Sequence, residues 1–288
     1  MGSSGRIGRM LRRAWTQPAL ATQDTAVEFT FQTRQTPVLA PGDILWNILQ
    51  KPPRALVDAG PFDCMIILSG IVPKQGADFA LNSLIGAAGM NAAADLGIPR
   101  VLLASTSAVY GTYSNTPFDE DAPLDPVSAY GHSKRDMEVA CRAQALANGI
   151  ELCCMRIGNV AGADALLSGG VALKPNEKLP LDCFHDGSTP LRSYIGPHSL
   201  ARVMVSLTRA DTSLPATLNT AAPHPVTMQA LAQAAEIPLE LRPTQCNAHQ
   251  HVTLDCTALT ALHPFDPQES APAEIVRQWR MLGDGQMH

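Results

Sequence analysis

Short apolar segments alternate with longer, more polar segments along the first 160 residues of the chain. Residues 26–33 alternate apolar and polar positions and predict a β-strand. Continuous apolar runs predict three further strands, at residues 64–68, 101–104 and 152–155. Such runs are typical of strands buried on both faces of a parallel sheet.

Helices are predicted between these strands. Residues 6–16 follow a glycine motif, residues 79–96 end before Gly97 and Pro99, and residues 128–147 end before Asn148-Gly149. The alternation of strands and helices predicts an α/β fold with a doubly wound parallel sheet. Beyond residue 160 glycine and proline become frequent, and we predict only two more helices, at 198–209 and 226–235.

Composition and charge limit the classes of function. The chain has 288 residues, of which 45% are hydrophobic, so we expect a folded protein rather than a disordered one. A net charge of −5 argues against a nucleic-acid-binding surface, and no apolar run approaches the roughly 18 residues of a membrane helix. The seven cysteines form no CxxC pair, which favours reduced thiols in a cytoplasmic protein.

The first candidate site is a glycine motif at the start of the chain. Gly2, Gly5 and Gly8 have the spacing GxxGxxG and precede a predicted helix, an arrangement that lets backbone amides approach a pyrophosphate. Glycines at this spacing also occur in flexible tails. The strand predicted at residues 26–33 leads into Gln32-Thr33-Arg34 without an acid. Arg34 favours the 2′-phosphate of NADP, unless it is an ordinary surface arginine.

The second candidate site combines a tyrosine, a lysine and hydroxyl groups. Tyr130 and Lys134 form YxxxK, and residues four apart share one face of a helix. A nearby lysine favours the phenolate, although lowering a tyrosine pKa to about 7 requires roughly 4 kcal/mol of differential interaction. Thr106 and Ser107 lie just beyond the third predicted strand, where open α/β sheets bind ligands. Two surface residues, or an ordinary Ser/Thr loop, would produce the same patterns.

Taken together, these motifs resemble the extended short-chain dehydrogenase/reductase family, the NAD-dependent epimerase/dehydratase group. Gly42-Asp43-Ile44, Leu68-Ser69-Gly70, the STSAVYG segment and residues 156–162 occur in the order and spacing of that family. The resemblance extends from residue 2 to about residue 235 and implies a Rossmann-type fold. It implies a site for NAD or NADP formed by Gly2, Gly5, Arg6, Ile7, Gly8, Arg34, Asp43, Ile44, Leu68, Ser69, Gly70, Asn82, Tyr130 and Lys134.

The resemblance also implies roles for single residues. Tyr130 would be the general acid/base, and Lys134 would hold the nicotinamide ribose and lower the tyrosine pKa. Asp43 would contact the adenine. The catalytic hydroxyl would be that of Thr106, with Ser107 the second choice, and both would contact substrate. Asn159 would bind substrate, and Arg192 would bind the diphosphate of a nucleotide sugar.

Three features depart from the family pattern. Gly158 stands where an aromatic residue is frequent, which would widen the nicotinamide end of the pocket, and Ser193 replaces a frequent acid. The C-terminal part is also short for a nucleotide-sugar enzyme. These departures bear on the substrate more than on the cofactor.

The resemblance implies an enzyme acting at a hydroxyl or carbonyl carbon of a sugar or sugar nucleotide. We expect epimerase or dehydratase chemistry. The alternatives are a net reductase or dehydrogenase and a non-catalytic NAD(P)-binding regulator. Residues 1–160 would form the cofactor domain, with 194–225 packing back on it, and 161–288 mostly a small substrate-binding region. The expected partners are a small-molecule substrate and a second copy in a homodimer, without nucleic acid or membrane.

Two further features are a possible metal site and the start of the chain. Cys246, His249 and His251 suggest a metal site at first sight, but we interpret them as solvated loop residues and predict no metal. Only Met1 precedes Gly2, whereas a Rossmann-type fold places its first strand before the glycines. We therefore expect the natural start to lie about 5–8 residues upstream, or the chain to be a truncated form with impaired cofactor binding and stability.

Overall fold

The computed structural model describes residues 1–17, 27–34, 40–112, 116–244 and 249–282. Thirteen strands and nine α-helices lie within these residues. The strands are β1 (Gln32–Thr33), β2 (Ile44–Leu45), β3 (Cys64–Ile67), β4 (Arg100–Thr106), β5 (Glu151–Ile157), β6 (Asn159–Val160), β7 (Leu179–Cys183), β8 (Leu191–Arg192), β9 (Tyr194–Ile195), β10 (Thr217–Thr220), β11 (Val226–Thr227), β12 (Leu239–Pro243) and β13 (His251–Val252). The helices are α1 (Arg6–Thr16), α2 (Arg54–Asp58), α3 (Leu81–Asp95), α4 (Ala129–Asn148), α5 (Ala165–Val171), α6 (Pro197–Thr208), α7 (Met228–Ala234), α8 (Thr257–Leu262) and α9 (Pro272–Leu282).

A four-stranded parallel sheet forms the centre of the molecule, in the order β10-β5-β4-β3. Side chains alternate between its two faces, as period-2 geometry requires. On β4, Leu102 packs with α1 and α6, while Val101 and Leu103 pack with α3 and α4. The helices on both faces bury the strands completely, which explains their continuous apolar sequence and confirms the predicted doubly wound sheet.

The helix predictions agree closely with the structure. Ser128 caps the amino end of helix α4, because its hydroxyl accepts a hydrogen bond from the Gly131 amide. Gly149 caps the carboxyl end in the left-handed conformation. Helices α1 and α6 also coincide with their predicted segments within one residue. The weak strand pattern beyond residue 160 has a structural counterpart, since the strands there have at most five residues and all except β10 belong to small sheets.

The predicted strand at residues 26–33 is shorter in the structure. Ala26 lies outside the described residues, and only Gln32–Thr33 forms a ladder, with β2. This two-stranded sheet stands apart from the central sheet. Residues 1–3 bridge the two, because the Leu68 amide donates to the Met1 carbonyl at 2.9 Å and the Ser3 amide donates to the Gln32 carbonyl at 3.3 Å.

A third apolar cluster lies in the C-terminal half, among α5, α7 and α9. By contrast, α6 and β10 bury Leu200, Met204 and Leu218 against the central sheet. Among the described residues, no helix is both long enough and apolar enough to cross a membrane.

Candidate active site

The tyrosine and hydroxyl groups predicted from the sequence meet at the carboxyl end of β4. Thr106 is the last residue of that strand, and Tyr130 lies in the first turn of α4. The Tyr130 phenol lies beside Thr106, whose hydroxyl accepts a hydrogen bond from the Ala108 amide at 3.2 Å. Ser107 begins the short 3₁₀ turn that follows. Phe79 packs at a tilt against the Tyr130 ring, with centroids 5.8 Å apart.

Lys134 lies one helical turn beyond Tyr130 and is buried. Its ammonium donates to the Ala104 carbonyl at 2.8 Å and lies beside Gly70, where an added Cβ would be 3.3 Å from Nζ. Burial lowers the pKa of Lys134 to about 8. Burial raises the pKa of Tyr130, and the neighbouring Thr106 hydroxyl opposes that shift. In the protein alone, the tyrosine is therefore a protonated phenol at neutral pH, able to donate a proton.

The glycine motif forms a tight turn at the start of α1. A Cβ on Gly8 would lie 2.1 Å from the Gly2 carbonyl, and one on Gly2 would lie 2.7 Å from the Ser69 amide, so the backbone segments touch. Gly5 caps α1 without a side chain, which leaves first-turn amides available as donors. A backbone cradle with free amides fits a dinucleotide pyrophosphate.

Other predicted cofactor residues have protein partners. Both carboxylate oxygens of Asp43 bind Arg12, at 2.7 and 2.8 Å, and one also accepts from the Ala40 amide. An adenine contact would have to compete with this buried ion pair. The side chains of Ile7 and Ile44 pack in the two cores, and the Ile44 amide donates to the Phe31 carbonyl at 2.8 Å. Arg34 is exposed just beyond β1.

Asn82 positions the loop after β3 rather than pointing into open space. Its carbonyl oxygen accepts from the Ile71 amide at 2.7 Å, and its amide group donates to the Ile71 carbonyl and to the Ser133 hydroxyl. The side chain is fully buried. Asn82 therefore fixes Gly70 beside the helix that carries Tyr130 and Lys134.

The predicted substrate residues lie on neighbouring short strands. Asn159 is on β6, which pairs with β9, and Arg192 is on β8. The Arg192 guanidinium donates to the carbonyls of Leu191, Gln250 and His249 at 2.8 to 3.0 Å. Arg6 reaches from the glycine turn to this region, with bonds to Ala163 and Ser168.

Gly158 has a packing role that was not predicted from the amino-acid sequence. A Cβ there would lie 2.6 Å from the Ser193 carbonyl, so β6 and β9 approach too closely for a larger residue. Ser193 is itself buried, and its hydroxyl accepts from the Leu254 amide at 2.9 Å. The glycine is explained by this close approach, which bears against the expectation that it widens a pocket.

A buried ion pair beneath the site was not recognised from the sequence. Glu138 follows Lys134 by one turn and binds Arg156 at 2.9 Å, while the Ser105 hydroxyl donates to the same carboxylate. Arg156 also donates to the Tyr110 hydroxyl and to the Glu120 carbonyl. The helical spacing of Tyr130, Lys134 and Glu138 was the available signal, but the partner on β5 is visible only in three dimensions.

The acidic run at residues 119–121 takes part in the packing of the fold. The Glu120 carboxylate accepts from the Asn219 amide at 2.8 Å. Among the described residues, no three His, Cys, Asp or Glu side chains cluster as metal ligands. Cys246 lies outside the described residues.

The parallel sheet flanked by helices, with a glycine turn at the start of α1, defines a Rossmann-type fold. The sequence model of the NAD dependent epimerase/dehydratase family matches residues 62–214. The chain therefore belongs to the NAD-dependent epimerase/dehydratase family, a family of the extended short-chain dehydrogenase/reductase type.

Curated relatives match over shorter segments. A UDP-glucose 4-epimerase of Azospirillum brasilense is 44% identical over 68 residues, 24% of this chain and 20% of that protein. UDP-glucuronic acid decarboxylase 1 of Danio rerio is 30% identical over 137 residues, 44% of this chain and 32% of that protein. The matches thus span between a fifth and a third of the length of these relatives.

Solved structures share the fold over nearly the whole chain. TunA, an NAD-dependent NDP-hexosamine 5,6-dehydratase of tunicamycin biosynthesis, has a TM-score of 0.75 at 22% identity and covers 97% of this chain and 96% of its own. The UDP-glucuronic acid 4-epimerase of Bacillus cereus in complex with NAD has a TM-score of 0.75 at 18% identity, covering 98% and 96%.

Proposed function

We propose that this chain is an epimerase/dehydratase-type enzyme that uses NAD(P) at a hydroxyl or carbonyl carbon of a sugar nucleotide. Tyr130 is the acid/base, Thr106 holds the reacting oxygen, and Lys134 holds the cofactor ribose. The observation that carries the proposal is the placement of Tyr130 beside Thr106 at the carboxyl end of β4, with Lys134 buried one turn away.

The proposed chemistry divides between the cofactor and the chain. When bound, NAD(P) accepts a hydride from the substrate carbon and can return it. The Tyr130 hydroxyl exchanges a proton with the substrate oxygen, while the Thr106 hydroxyl keeps that oxygen within reach. The pKa of Tyr130 is raised by burial, so base catalysis requires the buried cation of Lys134 to lower it again in the complex.

The cofactor cradle consists of the glycine turn and the loop that Asn82 fixes. Gly2, Gly5 and Gly8 would receive the pyrophosphate, and Ser69 and Gly70 would lie along the cofactor. Arg6, which crosses from this turn to Ala163, is placed to contact a phosphate as well.

Replacing the tyrosine tests the assignment. Tyr130→Phe is expected to lower kcat by about 10²–10⁴-fold while NAD affinity stays within about threefold, because only proton transfer is removed. His132→Ala is the matched control, since this exposed side chain lies on the same turn of α4. Unchanged turnover in Tyr130→Phe would refute the acid/base role.

The fate of the hydride separates the enzyme classes. An epimerase or dehydratase forms product without lasting absorbance at 340 nm, whereas a net reductase or dehydrogenase changes that absorbance in proportion to product. Cofactor binding without turnover on sugar nucleotides or aldehydes would identify a non-catalytic NAD(P)-binding regulator instead. A panel of UDP-sugars, assayed with both cofactors, distinguishes all three.

The choice between NAD and NADP is expected to depend on Arg34. Gln32 is bound to backbone through its side chain, and the exposed Arg34 follows it, so a 2′-phosphate meets a cation rather than an acid. Titration of Arg34→Ala with each cofactor tests this. Weaker binding of NADP alone supports the lean to NADP, and equal loss for both contradicts it.

The substrate proposal is supported by one arginine and by the relatives. The Arg192 guanidinium donates to backbone carbonyls, and its planar shape suits a diphosphate. The curated relatives are named for UDP-sugars. Arg192→Met is expected to raise KM for a UDP-sugar more than it lowers kcat. Asn159 lies on the adjacent short strand and would contact the sugar.

The organisation of the chain is proposed on packing. Residues 1–160 form the cofactor domain, 194–225 pack on it through α6 and β10, and the remainder of 161–288 forms the substrate region. Exposed apolar side chains on α3 and α4, Leu84 and Val139 among them, support a homodimer. Sedimentation at the mass of a monomer in analytical ultracentrifugation would contradict it. Free, mostly buried cysteines support a cytoplasmic location.

A further inference from the structure

Lys134 is a buried cation whose direct partners are neutral. Its side chain is 4% exposed. The ammonium donates to the Ala104 carbonyl at 2.8 Å and lies 3.7 Å from the Met137 sulfur. Within the part of the chain that the structure describes, no carboxylate forms an ion pair with it. A buried ammonium without a counter-charge loses its proton easily, so the charge of this lysine depends on groups that do not touch it.

Glu138 is the negative group nearest to Lys134 along α4. It follows one helical turn later, so the two side chains share a face of the helix. Burial lowers the pKa of Lys134, and the charge of Glu138 opposes that shift. The thiols of Cys141 on α4 and Cys154 on β5 would act in the same direction as thiolates. Burial raises the pKa of Cys141 to about 12 and also raises that of Cys154, so near pH 8 both thiols are uncharged and the carboxylate remains.

The Glu138 carboxylate is held in place from two strands. Arg156 of β5 donates to one oxygen at 2.9 Å, and the buried Ser105 hydroxyl of β4 donates to the other. Arg142 approaches from α4, with 3.6 Å between its terminal nitrogen and the carboxylate. Lys134 responds to the carboxylate rather than to these arginines, because Glu138 lies on its own face of the helix. The carboxylate is therefore fixed at one distance from the lysine.

One short stretch of β4, residues 104–106, contacts all the groups of this helix face. In chain order, its residues accept from Lys134, donate to Glu138 and lie beside Tyr130. On α4 these three partners recur every four residues and therefore share one face. The carboxylate thus belongs to the same strand–helix contact that places the acid/base and the lysine.

We propose, as an inference that rests on the function proposed above, that Glu138 is a positioning residue whose charge keeps Lys134 protonated. Arg156 and Ser105 fix the carboxylate, and Lys134 carries its effect to the cofactor ribose and to Tyr130. A neutral lysine would no longer stabilise the Tyr130 phenolate, so the acid/base could not reach its ionised form near neutral pH. The carboxylate thus acts on the reaction only through the lysine.

The test is an NMR titration of Lys134 in the full chain. The chain has five lysines, and Lys134 is the buried one among them. Lysine labelled with carbon-13 at Cε reports the loss of each ammonium proton, and the signal that is missing in Lys134→Met is assigned to Lys134. In the parent chain we expect a midpoint at about pH 8. Glu138→Gln should lower this midpoint by about one pH unit or more, because a carboxylate one turn away is lost.

Two matched variants separate the effect of charge from that of packing. Glu138→Asp keeps the carboxylate and should keep the midpoint within about half a pH unit of the parent value. Glu269→Gln removes another buried carboxylate, which Ser199 and Arg202 of α6 bind at 2.7 and 2.9 Å. Helix α6 packs on the opposite face of the central sheet from α4. Glu269→Gln should therefore lower Tm without moving the Lys134 midpoint.

An unmoved midpoint in Glu138→Gln would overturn the proposal. An equal fall in Glu138→Asp or in Glu269→Gln would overturn it too, since the effect would then come from lost packing. If Glu138→Gln does not fold, the double variant Glu138→Leu with Arg156→Met replaces it, because it leaves no unpaired buried charge and should lower the midpoint as well.

Turnover provides a second readout. On a UDP-sugar that the parent chain converts, the alkaline limb of kcat in Glu138→Gln should move down in pH together with the Lys134 midpoint. A limb that stays in place while the midpoint moves would overturn the positioning role. A panel of UDP-sugars without any turnover would count against the proposed function, whereas the titration needs no substrate and decides separately whether Glu138 keeps Lys134 charged.

Discussion

The buried pair of Glu138 and Arg156 provides a quantitative test of the fold beneath the site. Their side chains are 2% and 5% exposed. Arg156 donates to the carboxylate at 2.9 Å through one terminal nitrogen and at 3.3 Å to each oxygen through Nε. The change Glu138→Gln keeps the size of the side chain and leaves the guanidinium buried without its counter-charge.

Removing one partner of a buried pair costs about 3–5 kcal/mol, because the remaining charge cannot regain water. The entropy of unfolding is about 2.1 cal/mol/K per residue, or roughly 0.6 kcal/mol/K for a chain of this size. We therefore expect Glu138→Gln to lower Tm by about 5–8 °C. The double variant Glu138→Leu with Arg156→Met removes both charges and is expected to cost less than either single change.

Differential scanning calorimetry of the parent chain, Glu138→Leu, Arg156→Met and the double variant measures this coupling, and Glu138→Gln is measured beside them. The control is Glu240→Gln, because the pair of Glu240 with Arg242 is exposed and its loss should leave Tm nearly unchanged. A change in Tm of less than about 2 °C for Glu138→Gln would refute the reasoning. So would a double variant whose loss equals the sum of the single losses.

Two further predictions concern stability. In chemical denaturation, Gly162→Ala should lower the free energy of unfolding by about 2 kcal/mol more than Gly42→Ala does. Both glycines have a positive φ, but only a Cβ at Gly162 would clash with the Trp279 ring, at 2.1 Å. Equal losses of stability in the two variants would contradict this. Burial lowers the pKa of His263 to about 4, and its Nδ1 is bonded to the Ser206 hydroxyl at 2.8 Å. His263 of the unfolded chain therefore binds a proton near pH 6.5, whereas the folded protein binds it only near pH 4. The free energy of unfolding should fall as pH falls from about 6.5 to 4, by up to roughly 3 kcal/mol. In urea titrations, His263→Asn should flatten this dependence on pH.

Three of the four strands of the central sheet were predictable because burial leaves an unbroken apolar signal, whereas β10 was not predicted. The runs at 64–68, 101–104 and 152–155 all lie in that sheet. Residues 27–31 carry the alternating pattern of a strand but pair on one side at most, because the pattern reports side-chain burial and not the presence of a neighbouring strand. The helices were predictable from their capping signals and glycine stops.

The candidate site was predictable only in part. YxxxK on a helix requires Tyr130 and Lys134 to share a face, and a hydroxyl after a parallel strand lies at the edge where that helix begins. The engagement of Asp43 by Arg12 and of Arg192 by three carbonyls was not predictable, because each depends on chain segments brought together by folding. Those contacts decide which charged groups remain available to a ligand.

Local chemistry and periodicity in the amino-acid sequence were sufficient for the fold class, the helix limits and the spacing of Tyr130 with Lys134, since each depends on residues near one another in the chain. The approach of Tyr130 to Thr106 and the buried pair of Glu138 and Arg156 depend on distant segments. Their geometry arises from how the sheet and helices pack, because hydrogen bonds and ion pairs act over a few ångströms in space. That packing determines which polar groups are satisfied within the protein and which are left for a partner.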